Sequence, residues 1–388
     1  MAARTARWSC TGCRCRPRRC WAAAMASPSA RSRVLLFTSC PYEGGAGADT
    51  RLASSIAECM PDRDFVWFSR WPSRGQRGPT RGRAVPIVSH DGGPHVPERF
   101  QAALLGGVLA RRTDLVHAVL TIGRTYPLFS RLRRCILGGG PVIHTVSGVV
   151  DAGLLERARP LGVTVALSEA TAGQLRAAGF GDVRVIPPTI PLDRWPWQPR
   201  VGGTPVVLFA GHHDPEGGAH ETIAAASEAY RRGARFRLVL AMRARLGQDV
   251  RPLEAELRAL AAREGLPDVD ILGHVSDMPG LLQATDVLLF PPQRLGGKAD
   301  IPFVVLEALA TGRPVILSDL PQFATLGDAG LRAPAGDRLR TGELLTQLLE
   351  RPQWWEMQAR LGRATVEEVF GPDRFRAQYE RLYKEVLP

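Results

Sequence analysis

Short apolar runs alternate with helical patterns along two stretches of this chain, and a proline-rich segment separates the two stretches. The apolar runs are nearly continuous, which is typical of parallel strands that are covered on both faces. Parallel strands joined by helices form doubly wound sheets. Residues 187–199 hold five prolines, which exclude a helix or a central strand and predict a stiff linker. We therefore predict an α/β chain of two Rossmann-like domains, each with a doubly wound parallel sheet, that face each other across a cleft.

The individual strands and helices are predicted from their apolar periods. In the first stretch the predicted strands are Arg33–Thr38, Asp64–Phe68, Asp114–Ala118, Pro141–Val146, Val163–Leu167 and Val183–Ile186. In the second they are Pro205–Ala210, Phe236–Ala241, Val269–Leu272, Asp286–Phe290 and Pro314–Ser318. The predicted helices are Ala48–Met60, Glu169–Ala178, His220–Arg232, Leu253–Glu264, Met278–Ala284 and Phe303–Ala310. These patterns predict a first domain over residues 25–192 and a second over residues 200–370. Residues 371–388 predict an amphipathic helix that can pack back on the first domain.

Composition narrows the class of protein and of partner. A hydrophobic fraction of 45% fits a soluble globular protein, and no apolar run is long enough to span a membrane. The formal net charge of +12 favours anionic partners. No stripe of basic and aromatic residues accompanies this charge, so we expect no nucleic acid partner. The scattered cysteines beyond residue 24 are typical of a reducing cytoplasm, where we expect the protein to lie.

The first 24 residues differ from the remainder of the chain. They hold six arginines, no acidic residue and four of the seven cysteines. They show neither a helical nor a strand period, so we interpret them as a disordered tail or a mis-assigned start. The four cysteines lack a second pair at metal-ligand spacing, and we expect no metal there.

One acidic residue, Glu307, lies among the apolar residues of the predicted helix Phe303–Ala310. An ionised carboxylate in such surroundings is costly unless it has a partner. The preceding loop carries Arg294 and Lys298 beside two glycines, and basic side chains before a helix N-terminus suit a diphosphate. Glu307 can then accept hydrogen bonds from two hydroxyl groups, such as those of a ribose. The alternative is a carboxylate near the helix start that interacts with the helix dipole.

A glycine-rich loop follows the first predicted strand of each domain. In the first domain, Gly44 and Gly45 allow the backbone to approach a ligand, although the spacing is not G-x-G-x-x-G and a plain flexible loop is the alternative. In the second domain, the loop contains His212, His213 and His220, and a histidine at the end of a strand can contact phosphate. Metal binding by these histidines is conceivable, but exposed loop histidines are usually solvated, so we expect no metal.

The order of these motifs resembles that of the large family-4 (group 1) glycosyltransferases. The resemblance covers most of residues 33–388 and rests on a glycine-pair loop followed by DLVHAV, PVIHTVSG, VALSEATAGQLRAAGF, VIPPTIPLDRW, LFAGHHDPEGG, ILGHVSDMPGLLQATDVLLFPP and PFVVLEALATGRPVILSD. It implies the two-domain GT-B fold. It also implies transfer of a sugar from a nucleotide-sugar donor to a glycan or lipid-linked acceptor, with retention at the anomeric carbon and without a metal or other cofactor.

The resemblance also implies roles for individual residues. Glu307 matches the glutamate that holds the donor ribose. The other implied donor contacts are Gly211, His212, Arg294, Phe303 and Val304, with Gly273, His274 and Val275 along the nucleotide base. We predict Asp300, Lys298 and His117 as the catalytic residues, although Asp300 and Lys298 do not occupy the family's own catalytic positions. The acceptor is expected near Gly44, Gly45 and His144.

Several positions depart from the family pattern. His212 and Gly217 stand where the family has an arginine and a lysine, and Ala299 stands where it has the first of two glutamates. Two further histidines are replaced by Val119 and Ser147. One interpretation is that Arg294, Lys298 and Asp300 have taken over the missing roles. The alternatives are a nucleotide-sugar-binding protein without catalysis and a nucleotide-sugar epimerase of the same architecture.

Two basic segments of the first domain favour contact with an anionic membrane. The first is a loop whose arginines neighbour Trp67, Phe68 and Trp71; the arginines are Arg70, Arg74, Arg77, Arg81 and Arg83. The second has Leu132 and Ile136 flanked by Arg131, Arg133 and Arg134. A peripheral position on the inner face of the membrane would suit a lipid-linked acceptor. The alternative is a solvated basic surface.

Overall fold

The structure is a computed structural model that describes residues 32–38, 47–70, 82–88, 96–200, 202–214, 216–244, 248–267, 269–296 and 298–387. The predictions for residues 1–24, for Gly44 and Gly45 and for the basic loop 71–81 lie outside the described residues. No helix in the described part of the chain is long and apolar enough to cross a membrane.

The first domain contains a sheet of seven parallel strands in the order β3-β2-β1-β4-β5-β6-β7. The strands are β1 (Arg33–Thr38), β2 (Asp64–Arg70), β3 (Gly82–Val88), β4 (Leu115–Ile122), β5 (Val142–Val149), β6 (Val163–Ala166) and β7 (Val183–Val185). The sequence does not predict β3, because Pro86 interrupts its apolar run. The strand lies at the sheet edge, where a residue without a backbone donor is tolerated.

Helices cover both faces of this sheet. They are α1 (Ala48–Cys59), α2 (Val96–Ala110), α3 (Tyr126–Arg131), α4 (Arg133–Leu137) and α5 (Glu169–Ala177). Because strand side chains alternate, Val34 and Leu36 pack against α1 on one face, while Leu35 and Phe37 pack with α2 to α5 on the other. The C-terminal helix α12 (Pro372–Val386) joins α1 on its face of the first domain and buries Phe375 there.

The second domain repeats this plan with six parallel strands in the order β10-β9-β8-β11-β12-β13. The strands are β8 (Val206–His212), β9 (Arg237–Arg243), β10 (Val269–Leu272), β11 (Val287–Phe290), β12 (Val315–Ser318) and β13 (Leu331–Ala333). The helices are α6 (Ala219–Arg231), α7 (Arg251–Arg263), α8 (Met278–Gln283), α9 (Phe303–Ala310), α10 (Arg338–Glu350) and α11 (Pro352–Val369). The predicted pair of doubly wound parallel sheets is therefore confirmed.

The proline-rich linker packs against the second domain. Arg313 is fully buried, and its guanidinium donates to the carbonyl oxygens of Thr285, Gln198 and Pro199 at 3.1, 2.7 and 3.1 Å. Trp195 of the linker is also buried in the core of the second domain. The hydrogen bonds from this buried guanidinium to Gln198 and Pro199 fix the path of the linker on that domain.

Candidate active site

The two domains meet at the segment that leads into α9. Ala299 and Phe303 lie in the apolar cluster of the first domain, together with Leu52 of α1 and Val119 of β4. The carboxyl ends of parallel strands form the ligand-binding edge in such folds. The segment before α9 therefore joins the second domain to the first at the place where the sequence predicts the donor.

Glu307 is 3% exposed, and its carboxylate has a partner from the other domain. The Nη2 atom of Arg51, on α1, donates a hydrogen bond to Oε1 of Glu307. The guanidinium of Arg51 also lies over the ring of Phe303, at 4.3 Å from its centroid. Desolvation by burial raises the pKa of Glu307, while the charge and hydrogen bond of Arg51 lower it. The charge of Glu307, the buried acid that the sequence identifies, is thus balanced by Arg51 of the other domain.

Asp300 makes a second contact between the domains. Its carboxylate accepts hydrogen bonds from Ser168 Oγ at 2.7 Å and Thr171 Oγ1 at 2.9 Å. Ser168 is also the N-cap of α5, where it accepts a hydrogen bond from the backbone N–H of Thr171 at 3.2 Å. Burial raises the pKa of Asp300 to about 6, although the two hydroxyl hydrogen bonds lower it. Asp300, predicted as catalytic, thus binds the start of a first-domain helix in this structure.

The two cations predicted to bind the diphosphate both have acidic partners. Lys298 Nζ lies 3.7 Å from Asp214 Oδ2, and both side chains are mostly buried. Arg294 pairs with Glu216, and this pair is exposed. Asp214 and Glu216 belong to the loop after β8, so the cations and their partners come from the two loops that the sequence places at the mouth of the cleft. A diphosphate would compete with these carboxylates for the same cations.

The loop after β8 approaches the loop after β11 very closely. Gly218, the N-cap of α6, has a φ of +105°, and a Cβ added there would meet the backbone of Pro291 and Pro292 at 3.1 Å. Gly211, at the end of β8, has the ring of Phe209 against it. His212 is half-buried at the end of β8. These glycines hold the predicted donor loop close to the segment that carries Lys298.

The remaining predicted donor residues lie at different depths. Gly273 and His274 are exposed and Val275 is half-buried, in the turn between β10 and α8. Val304 is half-buried at the start of α9, beside the buried Phe303. The turn after β10 is therefore accessible to a ligand in the present arrangement of the domains.

His117, predicted as catalytic, lies inside the first domain in this structure. It is fully buried, with Nδ1 at 2.7 Å from the hydroxyl group of Tyr383 and Nε2 at 2.8 Å from Thr145 Oγ1. Burial, together with the smaller effect of nearby His144, lowers the pKa of His117 to about 3. Strand alternation places His117 under α12 rather than at the end of β4. It forms part of a polar network inside the core.

His144, predicted to lie beside the acceptor, is likewise buried inside the first domain in this structure. Its Nδ1 lies 3.1 Å from the hydroxyl group of Tyr126 and its Nε2 lies 3.2 Å from the carbonyl oxygen of Leu120. Burial lowers the pKa of His144 to about 4, against the opposing effect of the Leu120 hydrogen bond. Both ring nitrogens are therefore occupied by neighbouring groups of the first domain.

The histidines near the loop after β8 point to separate partners. His213 is buried, and its Nε2 lies 3.1 Å from the carbonyl oxygen of Met242. His220 pairs with Glu256 at 3.0 Å. Among the described residues, no group of three or more His, Cys, Asp and Glu side chains is arranged to hold a metal ion.

Sequence reasoning missed the first-domain half of the site. Arg51, Ser168 and Thr171 supply the contacts to the two acidic residues. Ser168 and Thr171 carry a local signal, since Ser168 precedes a helix as an N-cap and Thr171 lies three residues later. Arg51 carries no such signal, because it resembles an ordinary surface arginine on an amphipathic helix.

Part of the chain, mainly its second domain, is similar in sequence to known glycosyltransferases. Residues 204–351 match the family model of group 1 glycosyl transferases, which confirms the resemblance seen in the sequence. N-acetyl-alpha-D-glucosaminyl L-malate synthase of Bacillus anthracis is 29% identical over 119 residues. That match covers 30% of this chain and 30% of the relative, so the chain aligns with less than a third of the length of this curated relative.

Two solved structures share the fold over nearly the whole chain. The HepE protein of Anabaena, determined in complex with UDP and glucose, has a TM-score of 0.72 at 17% identity, over 92% of this chain and 100% of its own. Sucrose-phosphate synthase from Thermosynechococcus elongatus has a TM-score of 0.72 at 18% identity, over 92% and 99%. Such low identities show the fold alone, and the fold is GT-B.

Proposed function

We propose that this chain, with the group 1 glycosyltransferase pattern in its second domain and a GT-B fold, transfers a sugar from a nucleotide-sugar donor to a glycan or lipid-linked acceptor. The reaction would proceed with retention at the anomeric carbon, in the cytoplasm. The observation that carries the proposal is Glu307, a buried carboxylate at the domain junction, inside the region that matches the family.

In this proposal Glu307 binds the ribose of the donor. A carboxylate offers about four lone-pair sites, so it can accept hydroxyl hydrogen bonds while it stays paired with Arg51. The turn Gly273–Val275 lies at the end of β10, where it would border the nucleotide base. Phe303 and Val304 would pack beside the ribose at the start of α9.

The cations of the site would act on the diphosphate. Negative charge accumulates on the leaving diphosphate as the bond to the sugar breaks, so a cation placed there lowers the barrier. Lys298 is the better placed of the two, because it is mostly buried beside Asp214, whereas Arg294 is exposed. Asp300 would hold the domains together through Ser168 and Thr171 and thereby position the donor for transfer.

The first test is a thermal-shift panel of UDP-glucose, UDP-N-acetylglucosamine and GDP-mannose. A ligand at about 100 times its Kd stabilises the folded protein by about 2.7 kcal/mol, which raises the melting temperature measurably. Glu307→Gln should weaken the affinity for the nucleotide sugar, obtained from the concentration dependence of the melting temperature, about 10- to 100-fold, because a hydrogen bond to a charged group is lost. Glu350→Gln, an exposed glutamate of the same domain, is the matched control and should respond like wild type.

The products then separate the candidate reactions. Proton NMR of the donor with a glycan or lipid-linked acceptor should show an α- or β-linkage of the same configuration as in the donor. Binding without transfer or hydrolysis would instead indicate a non-catalytic nucleotide-sugar-binding protein, and an epimerised donor would indicate an epimerase. No response to any nucleotide sugar would contradict the proposal as a whole.

A further inference from the structure

Exposed apolar side chains are concentrated on one surface of the first domain. Ten large apolar side chains are exposed in the described part of the chain, and six of them lie between residues 100 and 132. These six are Phe100, Leu104, Leu105, Val108, Leu128 and Leu132. Phe100, Leu104 and Leu128 are each more than 60% exposed. We call this surface, formed by α2, α3 and α4, the α2–α4 face.

The packing of α2 explains why these side chains point outward. Gly106 and Gly107 form the inner side of the helix, and a Cβ added at Gly107 would meet the carbonyl oxygen of Cys135 on α4 at 2.9 Å. This close packing of Gly106 and Gly107 leaves Phe100, Leu104 and Val108 on the solvent-exposed side of α2. Phe100, Leu104 and Val108 recur there every four residues and so form one stripe along the helix.

Arginines surround the apolar side chains on this face. Residues 96–140 hold seven arginines and two acidic residues. Six of the arginines are exposed, and they lie at the ends of α2, just before α3 or along α3 and α4: Arg99, Arg111, Arg112, Arg124, Arg131 and Arg134. Arg133 is half-buried, and its Nε has no hydrogen-bond partner in the described part of the chain. The face therefore combines exposed apolar side chains with an excess of arginines over acidic residues.

We infer that the α2–α4 face docks on the surface of an anionic lipid bilayer. Apolar side chains enter the boundary between headgroups and acyl chains, while arginines at their margin pair with anionic headgroups. A second copy of this chain fits less well, because a twofold contact would bring each group of arginines against its own copy. The charge of the face thus favours lipid over self-association.

The direction of α2 relates this face to the cleft. The helix leads into the start of β4, so in a parallel sheet its own start, near Phe100, lies on the side of the strand carboxyl ends. A docked first domain would hold its cleft edge near the bilayer. If the proposed transferase activity holds, this placement favours a lipid-linked acceptor; the docking itself does not depend on that activity.

The structure also corrects part of the sequence prediction for membrane contact. Trp67 and Phe68 are buried in the cores of the first domain, at 5% and 1% exposure, so they are not available to a bilayer. Ile136 is half-buried behind the face. Leu132 is exposed as the sequence predicts, and the other exposed apolar side chains of the face are Leu128 and those of α2.

Vesicle co-sedimentation of the full chain without nucleotide tests the inference. The protein should bind vesicles of phosphatidylcholine mixed with phosphatidylglycerol and bind vesicles of phosphatidylcholine alone at least about tenfold less. Charge reversal by Arg131→Glu with Arg134→Glu should weaken binding to the mixed vesicles about tenfold or more. Phe100→Ser with Leu104→Ser should weaken it to a similar extent.

Matched variants on other surfaces control for general effects. Arg381→Glu and Leu339→Ser change exposed residues outside the face. Both variants should bind the mixed vesicles as wild type does, and their melting temperatures should equal that of wild type. Equal binding by wild type and both face variants would overturn the inference. So would sedimentation of the free protein as a dimer that Leu104→Arg dissociates, because the face would then be an interface between two copies. Neither readout uses a donor, so the proposed function can fail while the inference stands.

Discussion

Arg51 in the first domain donates a hydrogen bond from Nη2 to Oε1 of Glu307 in the second, across 256 residues of sequence. Glu307 is buried, and the desolvation that raises its pKa is opposed by the charge of Arg51. Arg51 also lies over the ring of Phe303. The acid that stands out in the sequence therefore has a protein partner, and this pair links the two domains at the predicted ribose site.

The Arg51–Glu307 pair predicts that substitution of Glu307 restores part of the stability that substitution of Arg51 removes. Arg51→Ala should lower the melting temperature, because it leaves a buried carboxylate without a partner, at a cost on the order of 1–3 kcal/mol after allowance for the half-exposed arginine. Adding Glu307→Gln removes that unpaired charge, so the double variant should melt above Arg51→Ala alone. Thermal unfolding of the four proteins measures this. A double variant that melts at the sum of the two single losses would show that the residues do not interact.

Lys298 should matter more for turnover than for nucleotide binding. Its charge, beside Asp214 at the mouth of the cleft, would stabilise the leaving diphosphate mainly in the transition state. Lys298→Ala should reduce kcat on the order of 100-fold and change nucleotide affinity by less than about tenfold. Arg294→Ala is the comparison, with a smaller effect, because that side chain is exposed. Transfer and donor hydrolysis at the wild-type rate in Lys298→Ala would remove its proposed role.

The architecture could be predicted from the sequence because buried parallel strands leave a local signal. All eleven predicted strands are present, with ends that differ by up to four residues. The two missed strands, Gly82–Val88 and Leu331–Ala333, lie at the edges of their sheets. Edge strands have one neighbour and partly exposed faces, so short or polar sequences can form them without a continuous apolar run.

The site could be predicted only in part, because its contacts join distant segments. Glu307 is recognisable locally as an acid in an apolar helix, but its partner Arg51 is not. The motif predicts a catalytic role for His117, whereas the environment of this side chain depends on Tyr383, which lies 266 residues away on the C-terminal helix. A motif specifies the residue type, and the packing of remote helices decides whether the side chain faces a ligand or the core.

Asp300 should make stability depend on pH between about 4 and 6. Burial raises its pKa from the ordinary value of 3.8 to about 6, so the folded protein binds this proton more tightly than the unfolded chain. The stabilising effect of protonated Asp300 is therefore complete below pH 4 and is lost as the pH rises through 6, by about 3 kcal/mol. The melting temperature of wild type relative to Asp300→Asn should fall between pH 4.5 and pH 7, on the order of a few degrees. A constant difference across this range would contradict the burial of Asp300 that raises its pKa.

His117 should affect stability and leave catalysis intact. His117→Ala removes the partner of the Tyr383 hydroxyl group and opens space in the core, at a cost on the order of 3 kcal/mol. The melting temperature should fall by several degrees, while turnover per folded molecule, measured well below melting, stays within about twofold of wild type. Tyr383→Phe removes the same hydrogen bond and should lower the melting temperature without changing turnover. A large loss of turnover at unchanged melting temperature would restore a catalytic role for His117.

Ala299, which stands where the resembled family has a glutamate, should not accept one here. It is 2% exposed and packs in the apolar cluster of the first domain, so Ala299→Glu would bury a carboxylate and extra volume at the domain junction. We expect a lower melting temperature, by several degrees, or a larger radius of gyration in solution scattering as the domains separate. Ala299→Met adds similar volume without charge and should cost less, because its side chain stays apolar. A folded Ala299→Glu protein with unchanged melting and faster transfer would instead show that this position faces the donor.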